Sequence, residues 1–289
     1  MIALYDRFTH DGSLTRRDLM DGLTRLAGSS AAALAILPFI EASASAASRT
    51  RPDEPGIISQ RIQWRSDSGR TMFGYLAMPE SGVARARKVM VIHENRGLNE
   101  HIRDVTRRLA LSGMVALAPD FLSAAGETPR TGDGTNSADD IARAMIGQLD
   151  RGMAVSDALS ALMFLDSYST GRGRPKAMGF CWGGGMVNQL AVAAASKLDS
   201  GIVYYGPPAD PADAGRIKAR MLYHYAGLDT RINAMVPPWE AALKSAGVGF
   251  ESHVYAGVNH AFNNDTSEAR YNASAASLAW SRSLALLAS

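Results

Sequence analysis

The chain carries a single cysteine, Cys181, in 289 residues, so no disulfide can form within it. Its compartment must be read from targeting signals rather than from cysteine usage. It has little excess charge of either sign. The formal net charge is +2 and is dispersed, which argues against nucleic acid or an anionic membrane surface as a partner. It lacks an internal repeat, and its apolar runs are too short to anchor it stably across a bilayer. His93-Glu94 is not followed by the second histidine of an H-E-x-x-H helix, which removes the usual sequence support for zinc. There is no Gly-x-Ser-x-Gly anywhere. What remains, with 46% apolar residues, is one large globular domain able to bury a full core.

That domain is organised around Lys176-Ala177-Met178-Gly179-Phe180-Cys181-Trp182-Gly183-Gly184-Gly185, a short apolar strand running into a helix. Gly179 and Gly183 bracket Cys181 as Gly-x-Nuc-x-Gly, the nucleophile elbow, with sulfur where most such elbows carry a serine hydroxyl. The turn holds the nucleophile in a strained conformation, so the positions two before and two after it must lack bulk. It also sets Cys181 at a helix N-terminus, where free N–H groups and the helix dipole favour the thiolate.

At the front, Thr15-Arg16-Arg17-Asp18-Leu19-Met20 resembles the twin-arginine export motif and precedes an Ala- and Gly-rich run from about Leu26 to Ile40. Ala42-Ser43-Ala44 and Ala44-Ser45-Ala46 offer small-residue cleavage sites. The alternative is an amphipathic helix that happens to carry two arginines. Residues 1–46 are therefore expected to be a signal segment, 47–56 a linker and 57–289 the domain. The mature protein is expected to be periplasmic or secreted, delivered by the twin-arginine export machinery, with no stable membrane span.

Strands are expected at Ile57–Arg65, Met72–Met78, Val89–His93, Val115–Pro119, Gly201–Tyr205, Met221–Ala226 and Phe250–Tyr255. Helical spacing falls at about Asn99–Leu111, Ala138–Leu149, Ala154–Leu165, Gly183–Ala194, Val236–Ala246 and Ser267–Leu287. The Gly/Ser/Thr/Pro-rich excursion Ser123–Thr135 either lines a pocket or is a solvated loop. Strand and helix alternate throughout, the pattern of an α/β, doubly wound, mostly parallel sheet flanked by helices.

In such sheets functional groups collect beyond the carboxyl ends of the strands. Four candidates stand there: Glu94, Cys181, Asp229 and His260. The last three run nucleophile, acid, histidine, the chain order of the α/β-hydrolase triad. A thiolate attacks an acyl carbon, a histidine holds and returns the proton, and a carboxylate orients the imidazole. His10, His101, His224 and His253 are poorer candidates, and His93 is the least easily dismissed. Glu94, one step past a buried strand, is placed to accept the thiol proton or to hold the thiol idle. The backbone amides of Asn95 and Trp182 are the natural oxyanion hole.

His93-Glu94-Asn95-Arg96-Gly97-Leu98-Asn99, the Gly-Phe-Cys-Trp-Gly-Gly elbow, Gly227-Leu228-Asp229 and His260-Ala261-Phe262 together resemble the dienelactone hydrolase family, also called carboxymethylenebutenolidases, over nearly all of residues 57–289. The resemblance implies an α/β-hydrolase fold and cleavage of a lactone or related ester through a Cys-His-Asp triad, with the strand-end glutamate activating the cysteine and no cofactor. Members acting on dienelactone grip the substrate carboxylate with two arginines. One stands shortly after the Pro-Asp that ends a strand, the other four residues after the triad histidine. Here those places hold Ala124 and Asn264, with Arg96 and Arg130 as nearby substitutes. An uncharged or differently charged ester or lactone is therefore the expected substrate. The rivals are a broader acyl hydrolase, such as a thioesterase or carboxylesterase, and a non-catalytic exported ligand-binding protein. A redox-sensing thiol lacks a resolving cysteine.

Overall fold

The computed structural model describes Leu4, Arg7, Phe8 and residues 14–34, 49–168 and 171–289. Its first full helix, α1 (Arg16–Ala27), is started by Thr15, whose side chain accepts from the Asp18 N–H while the Asp18 carboxylate accepts from the Thr15 N–H. Both arginines of the suspected export motif thus lie in its first turn, and Arg16 reaches Asp140 at 2.7 Å. The apolar run beyond Leu34 and both small-residue sites lie outside the described residues. Among the described residues no helix is long and apolar enough to cross a membrane.

The remaining elements follow as β1 (Ile57–Arg65), β2 (Thr71–Pro79), β3 (Arg87–Ile92), α2 (Glu100–Leu111), β4 (Met114–Asp120), α3 (Ala138–Gly147), α4 (Arg151–Tyr168), β5 (Arg172–Phe180) and α5 (Trp182–Ala193). They continue through β6 (Ser200–Tyr204), β7 (Arg220–Ala226), α6 (Thr230–Asn233), α7 (Val236–Ser245), β8 (Phe250–Tyr255) and α8 (Ala273–Ala288). The strands form one sheet in the order β1-β2-β4-β3-β5-β6-β7-β8. The pairs β1·β2 and β2·β4 are antiparallel, and every other pair is parallel.

The apolar run of β3 is continuous because both faces of the sheet are covered. Met90 and Ile92 join the core beneath α4 and α5, with Leu162 and Leu190. Val89 and Val91 join the opposite core beneath α2 and α8, with Leu109 and Leu287. All four strand residues are fully buried, and each such side chain contributes about 1.5–3 kcal/mol.

The start of the last helix departs from the sequence reading. The last helix begins at Ala273 instead of about Ser267, because the Asn272 side chain caps it by accepting from the Ala275 N–H at 3.0 Å. Within the expected linker, 47–56, Thr50 is tied to α2. Thr50 donates its N–H and hydroxyl to Asp104 at 2.7 and 2.6 Å, and its carbonyl accepts from Arg107.

The chain leaves β3 for β4 on one side and returns to β5 on the other. The crevice between β3 and β5 is therefore the switch point of this sheet, where loops from both strands open onto one site.

Candidate active site

Cys181 ends β5 and begins α5 with φ 55° and ψ −115°, a left-handed conformation costing a non-glycine residue about 1–3 kcal/mol. The surroundings enforce it. The Cys181 N–H donates to the Tyr204 carbonyl at 3.0 Å, and the Cys181 carbonyl accepts from the Gly185 N–H at 3.1 Å. A methyl group at Gly179 would collide with the Gly183 carbonyl, and one at Gly183 with the carbonyls of Ile92 and His93. The two elbow glycines are thus required by backbone on both sides, and Gly183 lets α5 press against the loop after β3. Trp182 opens α5, where its N–H has no preceding helical carbonyl to meet.

Asp229 and His260 come from the loops after β7 and β8, which are tied together. The Gly227 N–H donates to Tyr255 at 2.8 Å and the Leu228 N–H to Val258 at 3.0 Å. Asp229 caps the short helix α6, which the sequence reading did not anticipate, accepting from the Ile232 N–H with Oδ1. Its Oδ2 accepts from His260 Nδ1 at 2.6 Å. Burial opposes charge on His260. The Cys181 sulfur and the Asp229 carboxylate, both bonded to the imidazole, outweigh that cost and hold its pKa up at about 10. Asp229 is correspondingly held below the ordinary carboxylate value: burial works against this, but the His260 bond and charge prevail.

Glu94 lies behind this group, 5% exposed. Its Oε1 accepts from the Tyr205 hydroxyl at 3.3 Å and its Oε2 from Asn264 Nδ2 at 2.9 Å. Thr266 fixes the Asn264 amide by donating its N–H and hydroxyl to Oδ1 at 3.0 and 2.7 Å. Asn264, where the related pattern has a substrate-gripping arginine, is therefore turned onto Glu94. Tyr205 is the residue the sequence reading missed. It is fully buried, at φ 41°, with its ring 5.0 Å from that of His260. Burial first, then the charges of Glu94 and Cys181, push its hydroxyl well above the ordinary phenol value, so it remains a donor. Its only trace in the sequence was its place at the carboxyl end of a strand.

A cavity of about 370 Å³ opens onto Cys181, Trp182, Asn95 and His260. Its outer wall is the α3–α4 hairpin, which brings Ile146, Leu149 and Arg151. The 123–135 excursion does not line it, and residues 131–137 are exposed surface loop. Nor do the proposed substitutes reach it. Arg96 lies 3.8 Å from Asp139, and Arg130 and Ala124 are exposed. The cavity's cations are instead Arg143, Arg151 and Arg231, and among the described residues no carboxylate lines it. Arg143 is paired with Asp140, whereas Arg231 sits close enough to Asp229 to help hold its pKa down. No group of three His, Cys, Asp or Glu residues suited to a metal ion occurs among the described residues.

A family model described as the dienelactone hydrolase family matches residues 72–289. A Saccharolobus solfataricus protein named as a carboxymethylenebutenolidase is 32% identical over 254 residues, covering 78% of this chain and 96% of its own. The crystal structure of a Klebsiella pneumoniae protein described as a dienelactone hydrolase superposes with a TM-score of 0.69 at 28% identity, covering 80% of this chain and 98% of that one. Brefeldin A esterase reaches a TM-score of 0.64 at 13% identity, covering 96% of this chain and 86% of its own, a likeness of fold alone.

Proposed function

Because the chain belongs to the dienelactone hydrolase family and is a hydrolase, we propose that it cleaves a small carboxylic ester or lactone with Cys181 as nucleophile. The observation that carries this reading is the 2.6 Å bond from His260 to Asp229, with Cys181 on the imidazole's other side at the floor of a cavity. The Cys181 thiolate attacks the acyl carbon, and the carbonyl oxygen, now an oxyanion, is received by the Asn95 and Trp182 amides. Collapse expels the leaving oxygen, which takes the proton from His260 and leaves a thioester. Water then gives a proton to His260 and attacks the thioester, releasing the acid and restoring the thiolate. Glu94 activates the cysteine from behind, holding the thiol idle or accepting its proton. A panel of short acyl esters, lactones and thioesters, run beside Cys181→Ala, tests the reading and separates it from a thioesterase. Turnover unaffected by that substitution would sink it.

Of the uncharged and the differently charged substrates left open by Ala124 and Asn264, the cavity arginines favour one bearing negative charge. A carboxylate-bearing ester is expected to show higher kcat/KM than its neutral counterpart, with the advantage fading as salt rises. Arg151→Ala should raise KM for the anionic ester about tenfold, the loss of one charge-assisted hydrogen bond, and leave the neutral ester unchanged. Preference for the neutral ester at low salt would overturn this.

Export by the twin-arginine route is supported by Arg16 and Arg17 at the start of α1 and by the small-residue sites at 42–46. Changing both arginines to lysine is expected to leave full-length chain in the cytoplasm on fractionation. Unchanged export would end the targeting reading.

A further inference from the structure

His93 is fully buried at the carboxyl end of β3 and takes no part in the proposed bond changes. Its Nε2 accepts from the Phe121 N–H at 3.3 Å, and since a backbone amide can only donate, Nδ1 carries the ring proton. That proton is donated to the Glu94 carbonyl at 2.7 Å. The imidazole face stacks on the Trp182 indole, centroids 5.4 Å apart and planes at 13°, while Phe121 meets both rings edge-on. Burial keeps the imidazole neutral against the pull of Asp120 and Glu94, so this bonding pattern holds at physiological pH. One side chain therefore joins the turn after β3, the loop after β4 and the first residue of α5.

The first and third of those segments carry Asn95 and Trp182, whose amides form the proposed oxyanion hole. An oxyanion hole works only when its donors are preorganised at about 2.7–3.1 Å from where charge develops. The Glu94 carbonyl belongs to the peptide unit whose N–H is that of Asn95; the Gly97 N–H donates to that carbonyl at 3.3 Å, and His93 holds it more closely, at 2.7 Å, while also reaching Trp182. Resting on the proposed reaction, we infer that His93 is a positioning residue, which fixes the Asn95–Glu94 peptide relative to Trp182 and so tunes the oxyanion hole without touching substrate.

Ester turnover and alkylation of Cys181 by iodoacetamide separate this role from others. Alkylation displaces iodide by sulfur and forms no oxyanion, so it reads the nucleophile alone. Acylation and deacylation both pass through an oxyanion, so kcat reads the hole whichever step is slow. His93→Phe keeps a ring on Trp182 and removes both hydrogen bonds. His93→Gln keeps an acceptor and a donor and removes the stack. The expected order of kcat is wild type, His93→Gln, His93→Phe, with the last down about 10²-fold, KM little changed and alkylation at the wild-type rate. Should His93→Phe fold poorly, the kcat of His93→Gln at unchanged alkylation carries the same test. Equal kcat in all three proteins, or alkylation falling in parallel with kcat, would overturn the inference. Activity that survives Cys181→Ala would overturn the proposed reaction itself, a different result from Cys181-dependent activity indifferent to His93.

Discussion

Cys181→Ala is expected to lower kcat/KM on the preferred ester by about 10⁴-fold or more, since removing the nucleophile of a triad disables the whole set and leaves only binding and the oxyanion hole. The fold should survive, because the substitution removes one buried sulfur and keeps the Cβ that the elbow tolerates, a cost of about 1 kcal/mol. The same sulfur is a principal reason that the His260 pKa stands near 10, so the imidazolium and thiolate sustain each other. His260→Ala removes that cation from beside the sulfur, so alkylation by iodoacetamide at about pH 7 should be slower in it than in the wild type. Retention of more than about a tenth of ester activity in Cys181→Ala would show that another residue attacks.

Glu94→Gln is expected to cut kcat/KM by about 10²-fold, the usual scale for a group that moves a proton. The environment makes the substitution a clean one. A glutamine carbonyl can accept from Asn264, and its amide can donate to the Tyr205 oxygen, so both contacts of the buried carboxylate persist in shape while the charge is lost. Alkylation at about pH 6 should move the opposite way and quicken, because removing a neighbouring negative charge favours the thiolate. Opposed changes in turnover and alkylation distinguish a carboxylate that handles the thiol proton from one that merely fills space. Full activity with unaltered alkylation would make Glu94 a structural carboxylate behind a plain Cys-His-Asp triad.

Much of this site is legible in the sequence because backbone geometry leaves residue-type signatures. The glycines at 179 and 183 mark a collision that only a missing Cβ avoids, and the unbroken Val89–Ile92 run marks a strand covered on both faces. The chain order of Cys181, Asp229 and His260 then follows the strand ends, and the structure brings Asp229 and His260 within hydrogen-bond distance. What escaped depends on how distant segments meet. The direction of the Asn264 amide is set by Thr266 and Glu94, the left-handed turn of Tyr205 by packing against Glu94 and His260, and the cavity's cations by how the α3–α4 hairpin and α6 fold over the elbow. Composition and spacing record none of these. The start of the last helix was misread for a local reason, since both Ser267 and Asn272 are capping-type residues and only the structure shows which side chain takes the helix N–H.

The ties that hold the Asp229 loop to the β8 loop also set a timetable. His260 is added 79 positions after Cys181, which at about 5–20 residues per second is an interval of several seconds on the ribosome. Through that interval the thiol has neither its cation nor the strand that orients its acid, because Gly227 and Leu228 find their partners only at Tyr255 and Val258. The nascent chain therefore carries its cysteine without the imidazole beside it, which arrives only when the eighth strand closes the sheet.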